Sequence, residues 1–310
     1  MKSQKEKGSN MDCYLFVHFV GEQNNQEQVF FSVSEDGLHW KDLNGGQAVL
    51  ESNIGEKGVR DPFIIKDDNQ EKYYLIATDL KMESKKDWKK AQYEGSKEII
   101  VWESEDLVNW SEERAVKVGT DSVGCVWAPE AIYDSEREAF LLFFASMVKE
   151  AADPAPKQKI YATYTKDFTT VETTVKYIER ENHIIDTNII EHNGIYYRFS
   201  KDETTKTIMM ERGLSLDKES FQKLDTPVLD QLYGLEGPEC YQLPSGEWCL
   251  IADQFSKGLG YLPIIIPDLE RPEMIVLNPS EYDMGETRKR HGGVIRISDE
   301  EYKRLVKNFA

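Results

Sequence analysis

Three carboxylates stand where strand-like segments begin. They are Asp61 in Arg60-Asp61-Pro62-Phe63, Asp186 in Asp186-Thr187-Asn188, and Glu236 in Glu236-Gly237-Pro238-Glu239. Trp127-Ala128-Pro129-Glu130 and Arg290-His291-Gly292-Gly293 open two further segments of the same kind. Taken singly these motifs are ordinary, because Asp-Pro often does no more than start a turn. Their recurrence at matching places is not. Acids brought together repel one another and lose hydration, so a purely structural channel would take Ser, Thr or apolar residues instead. In the absence of metal or cofactor motifs, paired carboxylates suit glycoside hydrolysis. One acid protonates the leaving oxygen, a second acts on water or on the anomeric carbon, and a third can raise the pKa of the first.

Such acids, far apart in sequence, need a fold that gathers them, and an internal repeat supplies one. Four units start at residues 61, 127, 186 and 236. Each has an opening strand, a polar turn (DDNQE, DSERE, HNG, PSGE) and an aromatic-rich strand (KYYLIATD, AFLLFFAS, IYYRFSKD, WCLIADQ). A third strand follows in each: 98–110, 159–171, 206–217 and, less regularly, 260–269. The first two of these end in Ser/Thr-x-Asp turns, where Asp caps its own turn. The N-terminal region has the second and third strands of such a unit, CYLFVHFVGE and QVFFSVSEDGLHW, without the first. The missing strand lies at the other end, as Arg290-His291-Gly292-Gly293-Val294-Ile295-Arg296-Ile297.

These patterns predict an all-β fold: a five-bladed β-propeller closed by N- and C-terminal strands, with a short C-terminal helix. The helix opens on a capping box, Ser298-Asp299-Glu300-Glu301, and is expected to end near Asn308. The domain reading is a frayed segment over 1–11 and a single propeller over 12–310. The rival, a pair of β-sandwiches, fits the long repeat poorly.

Composition removes other classes. The 310 residues carry 38 Lys plus Arg against 56 Asp plus Glu, a net charge of −18. That opposes nucleic acid as a partner, since phosphate binding needs clustered cations. No apolar run is long enough to span a membrane. No signal peptide is evident, and the four cysteines sit in apolar segments without metal-ligand spacing, so a cytoplasmic location is the expectation.

Over roughly Tyr14 to Ile297 the motifs resemble those of glycoside hydrolase family 43. These are five-bladed propeller enzymes that cleave α-L-arabinofuranosyl or β-D-xylosyl bonds with inversion. The likeness rests on Asp61-Pro62, Trp127-Ala128-Pro129, Ile185-Asp186-Thr187, Glu236-Gly237-Pro238 and His291. It implies that Asp61 is the general base, that Asp186 tunes and orients the acid, and that Glu236 is the general acid. It also implies that His291 sits in the channel beside an ion such as calcium, with no other cofactor required. Asp186-Thr187 departs from the family's usual Asp-Pro. About 60 residues precede Asp61, which fits a variant whose closing strands come first.

The substrate expected is an oligosaccharide fragment of arabinoxylan or arabinan. Trp127 would stack on a sugar. Phe63, two residues after Asp61, would by strand alternation wall the pocket. Arg290 and Arg198 would touch hydroxyls or hold the acids. Trp88 or Tyr93, in the charged segment 81–98, would form a more distant subsite. Glu130 and Glu239, three residues into their strands, read as deeper channel residues, and His18, His39, His183 and His192 as structural. Asp12 is a weak rival for the base. Two other functions are a non-catalytic carbohydrate-binding propeller and an inverting phosphorylase. The latter ranks last because no Arg or Lys cluster adjoins Glu236 in the sequence.

Overall fold

The computed structural model describes residues 12–83, 87–151 and 153–309, so the expectation for 1–11 lies outside the described residues. It contains five four-stranded antiparallel sheets. Blade two holds β4 (Val59–Asp67), β5 (Lys72–Asp79), β6 (Glu98–Ser104) and β7 (Arg114–Lys117). Blade three holds β8 (Trp127–Asp134), β9 (Ala139–Val148), β10 (Lys157–Thr165) and β11 (Val175–Ile178). Blade four holds β12 (Ile184–His192), β13 (Ile195–Asp202), β14 (Thr207–Gly213) and β15 (Gln222–Lys223). Blade five holds β16 (Glu236–Gln242), β17 (Trp248–Asp253), β18 (Tyr261–Ile266) and β19 (Ile275–Val276).

Blade one closes the ring. Its β1 (Asp12–His18), β2 (Phe30–Ser34) and β3 (Lys41–Asp42) come from the N-terminal region, and β20 (Gly292–Ser298) pairs with β1 as the innermost strand. The innermost strands touch in sequence around the channel: β20, β4, β8, β12, β16 and back to β20.

The near-continuous apolar strands follow from burial on both faces. Along β5, Tyr73, Leu75 and Ala77 pack against blade one, while Tyr74 and Ile76 pack against blade three. Similar clusters fill the other junctions, so the core is five wedges between blades. The outermost strands are only two to four residues long, too short to register as periodicity, and short edges resist pairing with other chains.

The turn chemistry acts as the sequence implies. Asp36 Oδ1 accepts from the amides of Leu38 and His39, and Asp106 Oδ1 from those of Val108 and Asn109. The C-terminal helix runs from Asp299 to Phe309, with Ser298 and Glu301 capping each other's amides at 3.3 and 2.8 Å. All four cysteines are buried, and among the described residues no disulfide forms. No helix among these residues is long and apolar enough to cross a membrane.

Candidate active site

Four innermost strands break their pairing at the same point. The ladders skip between Arg60 and Phe63, Trp127 and Glu130, Ile185 and Thr187, and Glu236 and Glu239. The residues inside the skips, Asp61, Ala128, Asp186 and Gly237, have φ of 49°, 46°, 48° and 53°. A left-handed conformation at a non-glycine residue is strained, and such strain collects at functional sites. These bulges re-aim the side chains at the channel mouth. They also refine the repeat. Asp61 matches Asp186, whereas Glu236 and Trp127 stand one residue earlier, before the bulge.

The three acids line one cavity of about 380 Å³ at the mouth, together with Trp127, Arg290 and His291. Thr78 Oγ1 fixes Asp61, donating to Oδ2 at 2.9 Å while accepting from the Ala128 amide at 2.8 Å. The Gly237 amide donates to Asp186 Oδ2 at 3.1 Å. Glu236 is gripped by two cations: Lys201 Nζ at 2.9 Å and Arg290 at 2.7 Å. Arg290 also donates to the buried Asp253 at 2.6 Å. The His291 ring sits among carboxylates, with Nδ1 3.5 Å from Asp61 and 3.9 Å from Asp186, and Nε2 3.7 Å from Glu130.

Below the mouth, Asn188 donates to Glu130 at 3.0 Å and to Glu239 at 2.8 Å, and Glu239 accepts from the Val294 amide at 2.9 Å. Glu130 and Glu239 are therefore deep channel residues, as their positions in the strands imply.

Burial raises the Asp186 carboxyl to about 6 against the pull of His291 and Lys201, with the charges of Glu236 and Asp61 adding to the rise. Glu130 is raised to about 7, chiefly by burial. Burial alone would depress His291, but Asp186, Glu130 and Asp61 raise it to about 10, so the ring is an imidazolium. Burial also pushes Glu236 up, yet Lys201 and Arg290 together outweigh it and hold it at about 2.

Two expected pocket residues lie elsewhere. Phe63 does not line the cavity. The bulge at Asp61 inserts a residue and cancels the alternation that would have aimed Phe63 there, and it packs against the wedge between blades two and three. Arg198 is fully buried in blade four, paired with Glu211 at 2.8 Å and stacked 3.9 Å over Phe221. It lies in the middle of the second strand β13, packed among Tyr177, Phe221 and Glu211, whereas the mouth end of that strand is occupied by Lys201.

Trp127 does line the cavity, meeting Trp88 edge-on at 6.0 Å, and Trp88 belongs to the short helix α1 (Trp88–Tyr93). Tyr93 is exposed and is not part of the lining.

Lys201 and Arg60 were not apparent as site residues. A lysine at the end of a second strand carries no local signature. The expectation that no cation cluster adjoins Glu236 is thus overturned, since folding brings Lys201 and Arg290 to it. All of these cations are committed, however: Lys201 to Glu203 and Glu236, Arg290 to Glu236 and Asp253, and Arg60 to Glu22 and Glu27. None is left over for a phosphate.

The donor set does not fit a calcium held by His291. That ion takes about six to eight oxygen ligands, and both ring nitrogens already face carboxylates. Among the described residues, the one triple of acids near enough to share an ion is Glu150, Asp153 and Glu179, which Lys159 contacts at 2.8–3.0 Å.

The crowding under His291 has a direct consequence. A Cβ added at Gly237 would lie 2.7 Å from His291 Cγ. Gly237→Ala is expected to cost about 1–3 kcal/mol and to displace the ring. An unchanged urea midpoint and unchanged turnover would contradict this.

Comparison with known proteins agrees with this architecture. Residues 9–303 match the model of a family 43-related "probable glycosyl hydrolase domain". An α-L-arabinofuranosidase of Bifidobacterium longum subsp. longum is 30% identical over 267 residues, covering 74% of this chain but 25% of that protein. The chain thus spans about a quarter of that relative's length. An endo-1,4-β-xylanase structure from Bacteroides thetaiotaomicron superposes with a TM-score of 0.59 at 15% identity, covering 92% and 94% of the two chains. An exo-β-1,3-galactanase from Phanerochaete chrysosporium gives 0.51 at 16% identity, covering 70% and 49%. With the family model spanning nearly the whole chain, this protein belongs to the glycosyl hydrolase 43-related family.

Proposed function

We propose that the protein is an exo-acting, inverting glycosidase that releases terminal α-L-arabinofuranosyl, or β-D-xylosyl, residues from arabinan or arabinoxylan fragments. The observation that carries this is the convergence of Asp61, Asp186 and Glu236, from three blades, on one cavity walled by Trp127. The similarity to an arabinofuranosidase favours the first sugar.

In this reading Asp61, held by Thr78, takes a proton from a water below the anomeric carbon. Glu236 protonates the departing oxygen. Asp186 repels a second negative charge and so favours protonated Glu236. In the free protein Glu236 is an ion-paired carboxylate, so a sugar hydroxyl must draw Arg290 or Lys201 aside before it can carry a proton. Inversion needs a carboxyl separation of roughly 6.5–9.5 Å, with room for the water.

Hydrolysis of nitrophenyl α-L-arabinofuranoside against nitrophenyl β-D-xyloside tests the substrate, and NMR of the first-formed anomer tests inversion. Retention would overturn the inverting assignment. Lys201→Met should raise the pKa of Glu236 and carry the alkaline limb of kcat/KM to higher pH. A limb that stays in place would remove Glu236 from the acid role.

The pairing of Glu236 also favours a second reading, a propeller that binds sugars without cleaving them. Calorimetric sugar binding with no monosaccharide released from either glycoside would establish it.

A further inference from the structure

A second cavity of about 360 Å³ adjoins the catalytic one, sharing Gln92, Trp127, Ile185 and Glu203 with it. Its far side belongs to blades three and four: Gln158, His183 and Thr204, with Met147 as an apolar surface. Gln158 is 2% exposed, yet its Oε1 is buried without a hydrogen-bond partner. A buried acceptor left unsatisfied is costly and calls for an explanation. The neighbouring His183 is oriented by the Gln158 backbone, whose amide donates to Nδ1 at 3.2 Å. Accepting at Nδ1 puts the ring hydrogen on Nε2, so the ring can donate there. The acid in the shared wall, Glu203, is tied to Lys201 and Lys206. The cavity therefore offers a donor and an indole wall, and one of its lining residues, Gln158, carries a buried acceptor that nothing satisfies, while its one carboxylate is already neutralised. That is the chemistry of a neutral polyhydroxylated ring, not of a charged ligand.

The acid side of the catalytic cavity leads here, because Lys201 bridges Glu236 at 2.9 Å and Glu203 at 2.6 Å. We propose that this second cavity is the leaving-group subsite, and that it holds a neutral sugar ring through Gln158 and His183, with Trp127 between the two rings. This rests on the glycosidase reading. It adds which residues hold the departing sugar, Gln158 and His183, and it reassigns His183 from structure to binding.

The test compares kcat/KM of wild type, Gln158→Met and His183→Phe on two substrates: the nitrophenyl glycoside that the wild type cleaves and a trisaccharide ending in the same sugar. Thermal melts of each variant are recorded alongside. The expected result is a trisaccharide kcat/KM that falls at least tenfold further than that of the nitrophenyl glycoside, with melting retained. Equal losses on both substrates, or no loss, in the folded variants would overturn the subsite and leave the glycosidase reading intact. A wild type inactive on both substrates would remove the glycosidase reading and the subsite with it.

Discussion

Asp61→Asn is expected to lower kcat by about 10²–10⁴-fold while the protein keeps its fold. Three features make this substitution clean. Asparagine is among the few residues that tolerate the left-handed backbone found at φ of 49°. Its side-chain oxygen can still accept from Thr78, so the link to Ala128 in the next blade survives. What disappears is the carboxylate that would take a proton from water. Alanine would confuse the result, since it loses the Thr78 contact and strains the bulge together. Activity within a few-fold of wild type, in a variant with an unchanged melting curve, would sink Asp61 as the base. Steady-state kinetics on the better nitrophenyl substrate is sufficient.

Replacing His291 should have the largest effect on stability. Its imidazolium lies among Asp61, Asp186 and Glu130, buried with only 5% exposure. Removing one partner of a buried ion cluster leaves charge uncompensated, and His291→Gln should cost about 3–5 kcal/mol in urea unfolding. The pH dependence follows from the same cluster.

Asp186, Glu130 and His291 are all raised in the folded state, to about 6, 7 and 10. A raised group binds more protons folded than unfolded, so its contribution is complete below its ordinary pKa and is lost as pH climbs through its folded value. Stability should therefore fall from about pH 4, where the two acids begin to titrate in the unfolded chain, to about pH 10. Glu236 acts oppositely. Held at about 2, its contribution is lost as pH drops through that value. His291→Gln should flatten the decline above about pH 6.5. A melting temperature that rises between pH 5 and 9 in the wild type would contradict this account of the cluster.

Much of the architecture was legible because it is written locally. The second strands at 72–79, 139–148 and 248–253 are buried on both faces, so each carries an apolar run, over 73–77, 139–145 and 248–252. The Ser-x-Asp turns and the Ser298 capping box satisfy their own backbone groups with neighbours two or three residues away. Even the circular closure left a trace, in a set of N-terminal strands lacking an inner member. The outer strands left none, since two residues such as Lys41 and Asp42 hold no period.

The candidate site was legible only as to which residues open the inner strands. The bulges defeated simple alternation, and Phe63 was misplaced for that reason. Arg198 has the right charge for a sugar contact, but the sequence does not show that it sits mid-strand against Glu211 and Phe221, away from the mouth. Lys201 is one lysine among many until the ring brings it to Glu236.

The sequence alone determined the repeat, the identity of the three acids and the chain of turns between them, because each depends on contacts between near neighbours. Only the tertiary structure decided how Asp186 and Glu236 are shifted, that Lys201 joins Arg290 on Glu236 and that a second cavity lies beyond Trp127. Those properties arise from desolvation and from Coulomb forces between blades, which act through space between residues that the chain keeps far apart.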